Sequence, residues 1–441
     1  MPNEPTALSP VANADAQLVR AIGVPGLAAN IVNATIGAGI FVLPALVARG
    51  LGAAAPLAFL VCAIAMVLFV TCFAIAGSRV SLTGGLYAYV EVAFGRYVGF
   101  LGGILYYLTA VLAVAGVVNV LADSLSAVLP IASNPIGRVV LIFLIYGVLA
   151  LINVRGVQAG STAVTVVTAA KLVPLLIFVI AGFFFIKPGT LASPTWPTSK
   201  QLGDSVLLLI FAFVGIEVAL IPSGEVKNPT RTVPRAIYLA LALTTVLYIS
   251  IQLVAQGTLG SELAQNSVTP LAQAAGTFLG NFGRTLLLAG ATISAFGFVT
   301  TDILSSPRII FAFGRDGMLP AWFAHVHPRF RSPDVAIITY TVIAFAFSLT
   351  STFEGLAVMS NVAVLLLYLL CFAAAILLMR RDVRSDGKPF GFPGAQILPV
   401  VSIVVVIWIL AHATGKEFGL AAAVLGVASL LYLLRRGFTR Q

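Results

Sequence analysis

Lys171, Glu217 and Asp302 each interrupt a stretch that is otherwise apolar over about twenty residues. A charge in such a setting is costly, so it is first read as a binding, coupling or gating group. Lys171 lies about thirteen residues from either end of its run, roughly 20 Å along a helix, and its stem is too short to carry the ammonium to the surface. Glu217 belongs to PheValGlyIleGlu (Phe213 to Glu217), where glycine breaks one long apolar run ahead of Pro222. A second break, ThrIleGlyAlaGlyIle (Thr35 to Ile40), precedes Pro44 in another run. Broken helices leave backbone groups unpaired in mid-bilayer, at several kcal/mol each unless a ligand or protein group satisfies them. Small residues also serve helix packing, but interruptions at matching places in two halves point to a midplane binding site. Glu217 at its break could bind or gate, or could cap freed amides.

Other reactive constellations are missing. His325 and His327 form an HxH pair in a basic loop with no third ligand nearby, so no metal site is expected. The sequence contains no HExxH, P-loop or GxSxG arrangement, which makes a membrane enzyme a minor alternative and implies no cofactor. Cys62, Cys72 and Cys371 fall in apolar runs and read as small core residues, with no disulfide framework.

The elements that position these residues follow from composition. Of 441 residues, 25 are Lys or Arg and 15 Asp or Glu, so charged residues make up 9%, against roughly 25% in a soluble domain. With 60% hydrophobic residues and a mean hydropathy of +1.06, a soluble globule and a disordered or fibrous chain are excluded. The apolar runs are unbroken and helix-length, which excludes a transmembrane barrel and predicts an all-α integral membrane protein. We read about twelve spans. They run from Ile22 to Ala48, Ala53 to Gly77, Tyr97 to Ala122, Ile136 to Asn153, Gln158 to Ile186 and Gly203 to Gly224. The remaining six are Val233 to Gly257, Phe282 to Phe313, Val335 to Ser351, Gly355 to Met379, Gln396 to His412 and Phe418 to Leu434.

The net charge of +10 does not signal nucleic acid, because of where it is placed. With a cytoplasmic amino terminus, eighteen of the 25 basic residues fall inside; outside lie Arg49, Arg138, Lys187, Lys200, Arg284 and Lys416, with Lys171 in the membrane. This satisfies the positive-inside rule, so both termini are expected in the cytoplasm and the bases against anionic lipid. The first nineteen residues carry Glu4 and Asp15 and no basic n-region, so no removable signal peptide is expected. The outer connection from Thr258 to Asn281 contains SVTPLAQAAGTFLG, whose apolar spacing predicts a short helix. The polar stretch Arg380 to Pro393 separates ten spans from the last two.

The two broken spans are the first of two five-span blocks, residues 22–186 and 203–379, and an odd span count makes them inverted repeats. Residues 396–434 add two spans, and 1–21 and 435–441 are the cytoplasmic tails. Here the sequence resembles the amino acid, polyamine and organocation (APC) transporters of the LeuT-like fold. The resemblance rests on IGAGIFVLP (Ile36 to Pro44), FAFVGIE (Phe211 to Glu217), GEVKNPTRTVPRAI (Gly224 to Ile237) and SSPRIIFAFGRDGMLP (Ser305 to Pro320).

The resemblance implies alternating access around a central site for a small amine-bearing solute, with the plasma or inner membrane as its place. Amides around Gly37, Ala38 and Gly39 would take the substrate carboxylate at a half-helix amino end. Carbonyls of Thr35, Phe211, Ala212 and Val214 would hold its ammonium. Phe211 matches the family's aromatic gate. Lys171 is similar to the lysine that in some proton-coupled members stands where sodium-coupled relatives bind a second sodium ion. Glu217 matches a family carboxylate linked to gating. Glu225 with Lys227, Arg231 and Arg235 belongs to the inner-loop signature and would form ion pairs there.

Asp302 falls where the family lines the side-chain pocket, opposite Thr109, Ala110 and Val114. A lone carboxylate there would favour a cationic side chain, or else it would pair with Lys171. The sequence thus points to proton symport of an amino acid, with exchange, and a polyamine substrate, as runners-up.

Overall fold

A computed structural model of the chain describes residues 22–80, 85–126, 134–155, 161–192, 196–217, 226–265, 268–384 and 389–438, and the side chains of all of these except 161–168, 229 and 436–438. Glu4, Asp15, Arg20, Pro222, Gly224, Glu225, Lys388 and Arg440 lie outside the described residues.

The first apolar run is split, as its glycines predict. α1 (Val24–Thr35) and α2 (Leu43–Leu51) are separated by residues 36–42, which hold only a 3-10 turn at Gly39–Phe41. Pro25 and Pro44 sit in the first two positions of these helices, where no amide partner is lost and φ is already set for a helix. α3 (Ala55–Gly77), α5 (Arg96–Ser126), α6 (Pro135–Val154) and α7 (Ser161–Gly182) follow the expected runs. Between α3 and α5 the chain forms α4 (Leu86–Phe94), which the sequence reading left as a connection.

The second broken run begins with α8 (Ser199–Phe213). Its start is fixed by a capping box in which Thr198 and Gln201 exchange side-chain and backbone bonds. Then come α9 (Pro229–Leu259), α10 (Pro270–Ser305), α11 (Pro307–Arg315), α12 (Asp334–Thr350), α13 (Phe353–Arg380), α14 (Leu398–Leu410) and α15 (Gly415–Phe438). Gly280 (φ 61, ψ −148) bends α10, so the segment from Pro270 up to the bend forms the short helix that SVTPLAQAAGTFLG predicts. Among the described residues the only β pairing is a single parallel bridge between Ile22 and Val226, where Lys227 N donates to Ile22 O at 2.9 Å.

Seven helical stretches among the described residues are long and apolar enough to cross a membrane, and three shorter apolar helices accompany them. The fold is thus all-helical and suited to a multi-pass membrane protein. α5 and α13 form its centre. They approach closely because small residues line their faces: Gly116 meets Phe353 and Leu356 of α13, Gly102 meets Leu367 of α13, and Gly103 meets the Phe313 ring of α11. α6, α14 and α15 turn large apolar side chains outward, among them Ile136, Phe143, Val404 and Leu430, as lipid contact requires.

Candidate functional site

The two breaks meet. At the end of α1, Ile36 N still reaches Val32 O at 2.9 Å, and Gly37 N turns back to Thr35 O at 2.9 Å. Phe41 N and Val42 N then close the 3-10 turn on Ala38 O and Gly39 O. Among the described residues the amides of Ala38 and Gly39 have no backbone acceptor. They lie ahead of α2, at a positive half-helix end, and are the donors an anion would use.

At the other break α8 ends with Val214 N on Ile210 O at 3.1 Å, after which Val214 is extended and Gly215 takes φ 108. Only glycine fits there, since a Cβ on Gly215 would come within 2.9 Å of Ala34 O. That contact brings the second break against the end of α1. Asn361 of α13, fully buried, anchors α8 from behind by donating to Leu207 O at 2.7 Å and Leu208 O at 3.1 Å.

A narrow pocket lies between the breaks. Its backbone rim includes Thr35, Gly37, Ala38, Gly39, Ala212 and Val214, and its walls include Ala113, Val117, Phe211, Tyr248 and Phe298. Phe211, largely buried, lies across Gly39, where an added Cβ would sit 3.0 Å from its ring, and packs edge-on against Phe353. Seven of the residues named from sequence, Thr35, Gly37, Ala38, Gly39, Phe211, Ala212 and Val214, therefore share one cavity.

The others do not line it. Thr109 is buried against α13, where Ser360 donates to its carbonyl at 2.9 Å, and its own hydroxyl bonds Leu105 O at 2.9 Å. The α5 wall is made one turn further on, by Ala113 and Val117, so Thr109 and Ala110 fall short of it. Likewise the α10 wall is Phe298, one turn before Asp302. Asp302 accepts from Ser306 Oγ at 2.9 Å and from the Tyr340 hydroxyl, while Lys171 donates to Asn33 O at 2.5 Å. The two form no ion pair with each other. Lys171 instead places its ammonium on one of the last carbonyls of α1, a negative helix end that suits a cation.

Glu217 is buried, and its Oε2 accepts from Gly215 N at 3.0 Å and from the Tyr368 hydroxyl at 3.1 Å. It caps an amide freed by the break and ties it to α13; its Oε1 has no partner among the described residues. The inner-loop bases Lys227, Arg231 and Arg235 form no ion pair among the described residues, and their expected partner Glu225 lies outside them. His325 pairs with Asp334 at 2.7 Å, and His327 Nδ1 accepts two loop amides. Among the described residues no group of His, Cys, Asp and Glu gathers as a metal site would require.

The residue that sequence reasoning missed is Tyr248. Fully buried on α9, its hydroxyl donates toward both Thr35 O at 3.1 Å and Ala212 O at 2.9 Å, one carbonyl from each break. A signal was present. Thr244, Tyr248, Gln252 and Gln256 recur at four-residue spacing within an apolar run, and all four are buried. Polar residues at helical period on a membrane span face protein or cavity rather than lipid.

The arrangement gathers unpaired amides, a set of carbonyls and an aromatic ring around one pocket. A family model described as amino acid permease matches residues 22–428. The chain is 28% identical over 335 residues to the serine/threonine exchanger SteT of Bacillus subtilis, covering 74% of this chain and 75% of that protein. It is 28% identical over 424 residues to the methylthioribose transporter of the same organism, covering 91% and 90%. It is 30% identical over 398 residues to the vacuolar cationic amino acid transporter 2 of Arabidopsis thaliana, covering 85% of this chain and 61% of that protein. These relatives are transporters, not enzymes. With the match running from Ile22, just ahead of α1, to Ala428 in α15, the chain belongs to the amino acid permease family of the APC transporters.

Proposed function

We propose that the protein carries an amino acid across the plasma or inner membrane by alternating access and proton symport. The observation that carries this reading is one cavity lined from both broken helices, by Ala38 and Gly39, whose amides have no backbone acceptor among the described residues, and by Thr35, Ala212 and Val214. A zwitterion presents the matching pair of groups, a carboxylate for the amides and an ammonium for the carbonyls. The walls, Ala113, Val117 and Phe298, are apolar and favour a small neutral side chain. Phe211 is the gate over the ligand.

Twelve spans in a five-plus-five inverted repeat (22–186 and 203–379), two further spans (396–434) and cytoplasmic tails (1–21 and 435–441) are the topology that fits this mechanism. Protons are the proposed driving ion because Lys171 brings a cation of its own to the end of α1, where a metal ion would otherwise serve. Glu217 would transmit the state of the break to α13 through Tyr368.

Two secondary readings have their own support. Exchange without net proton movement is suggested by the relative named as a serine/threonine exchanger. A cationic side chain is suggested by the relative named as a cationic amino acid transporter and by Asp302, one turn beyond Phe298, which a long side chain could approach.

Solute counterflow in proteoliposomes, combined with a thermal-shift screen of the purified protein, tests the proposal. Amino acids should stabilise it, and their amides and decarboxylated amines should not. Equal stabilisation by an amino acid and its decarboxylated amine would overturn the zwitterion assignment. Accumulation driven by a sodium gradient at fixed pH would overturn the proton assignment.

A further inference from the structure

α6 and α12 pack side by side, and each turns a row of apolar side chains outward. On α6 the exposed residues Val148, Leu151 and Ile152 share one face at three- and four-residue spacing. Seven residues after Val148 that face ends in Arg155, which is also exposed. On α12 the exposed residues Ile338, Val342 and Leu349 form the matching row. Phe345 of α12 fills the seam between the helices, edge-on to Phe143 of α6 at 5.9 Å and to Tyr146 at 6.2 Å. Contiguous exposed apolar rows of this kind suit acyl chains.

Both rows run down to one basic boundary. Ser332, just ahead of α12, donates its hydroxyl to Val154 O at the end of α6 at 2.6 Å, which sets the loop before α12 beside Arg155. His327 holds that loop in shape. Its N–H reaches Ser332 O at 2.9 Å, its carbonyl accepts from Arg331 N at 2.9 Å, and its Nδ1 accepts from Arg329 N and Phe330 N at 3.2 Å each. Arg331 sits at φ 55, a left-handed conformation that a residue with a long side chain keeps where its surroundings fix it.

The loop so fixed carries Arg329 and Arg331 alongside Arg155, all three exposed. Among the described residues none of the three has an ion-pair partner. The two acids that flank the loop are occupied, Asp334 by His325 at 2.7 Å and Asp316 by Arg315 at 2.9 Å. Trp322, exposed and stacked on Phe323, adds the amphipathic ring that membrane boundaries favour.

Three unpaired guanidinium groups at the end of two aliphatic rows fit one class of partner. A guanidinium fork takes phosphate oxygens in pairs, and an anionic phospholipid carries that phosphate on chains that match the rows. A water-soluble anion would use the arginines without the rows, and a zwitterionic lipid would bring its own cation against the arginines.

We propose that the end of α6 and the start of α12 form a binding site for an anionic glycerophospholipid. Its phosphate is held by Arg155, Arg329 and Arg331, and its acyl chains lie along Val148, Leu151 and Ile152 and along Ile338, Val342 and Leu349. The site goes beyond the substrate reading and does not depend on it, because neither the substrate nor the driving ion enters its argument.

The test is native mass spectrometry of the full-length protein in detergent, titrated with phosphatidylglycerol or with phosphatidylcholine of the same chains. Phosphatidylglycerol should bind more tightly, and its affinity should fall about five-fold in each of Arg155→Gln, Arg329→Gln and Arg331→Gln. Each variant changes one exposed residue, which guards against misfolding of a combined variant. Arg231→Gln, Arg235→Gln and Arg380→Gln remove the same charge at exposed positions on α9 and α13 and should leave the affinity unchanged. An equal fall in both sets would overturn the site, because the lipid would then follow net charge alone. Equal affinity for the two lipids would overturn the assignment of an anionic partner. Soluble glycerol 3-phosphate binding as tightly as phosphatidylglycerol would overturn the lipid assignment, since the apolar rows would then contribute nothing.

Discussion

Tyr248 gives one O–H to two carbonyls, Thr35 O and Ala212 O, that belong to different broken helices. A hydroxyl donates to one acceptor at a time, so the bond is shared and either carbonyl is briefly left without it. Tyr248→Phe keeps the ring, which packs edge-on against Phe213 at 5.4 Å, and removes only the tie. The expected cost is about 1 to 3 kcal/mol, the range for a buried acceptor losing its donor, read as a lower melting temperature and weaker substrate stabilisation. Lys171→Ala removes the ammonium from Asn33 O, and accumulation driven by a proton gradient should be lost while some exchange survives. Uptake under imposed pH and sodium gradients measures it. At this scale the sequence was readable where a residue was out of place for its surroundings. Lys171, Glu217 and the glycines of both breaks stood out from their apolar runs, and seven of the named residues do line one cavity. Tyr248 was not read because a phenol in an apolar run passes for core. Thr109, Ala110 and Asp302 lie about one turn from the residues that line the cavity, a depth along the helix that motif spacing alone does not fix.

The elements depend on backbone proximity that glycine permits. Gly215 combines φ 108 with a space that a Cβ would fill at 2.9 Å from Ala34 O, so Gly215→Ala is both strained and crowded. We expect transport to fail and stability to drop by about 1 to 3 kcal/mol. A contrast inside regular helices makes the argument quantitative. At Gly103 a Cβ would meet the Phe313 ring at 2.2 Å, whereas at Gly147 it would meet nothing within 4 Å. Gly103→Ala should cost about 1 to 3 kcal/mol by overpacking. Gly147→Ala should stay within about 0.5 kcal/mol, and thermal unfolding in detergent compares the two. Long apolar runs announced the helices well, with α3, α5, α6, α12 and α13 ending within a few residues of their runs. α4 escaped notice because it is too short to cross a bilayer and lies between Gly85 and Gly95, both at positive φ, which read as loop residues.

For the whole molecule the charge distribution is the legible feature, and its proposed consequence is an orientation with both termini in the cytoplasm. The native thiols help to test it. Cys62, Cys72 and Cys371 are all free and buried, so the folded protein should not react with a membrane-impermeant maleimide. Cysteines introduced singly at the exposed positions Lys200 and Arg329 should then label from opposite faces of an intact cell, and labelling from the same face would reverse the assignment. One feature of the fold would pass unseen through any scan of side chains. The seam that holds the segment ahead of α1 to the segment ahead of α9 is made at Lys227 N and Ile22 O, by main-chain atoms that alanine replacement leaves untouched. Lys227→Pro deletes the N–H and nothing else of that contact. It asks whether the two leading segments must part during each cycle, a question about chain connectivity to which side-chain chemistry has no access.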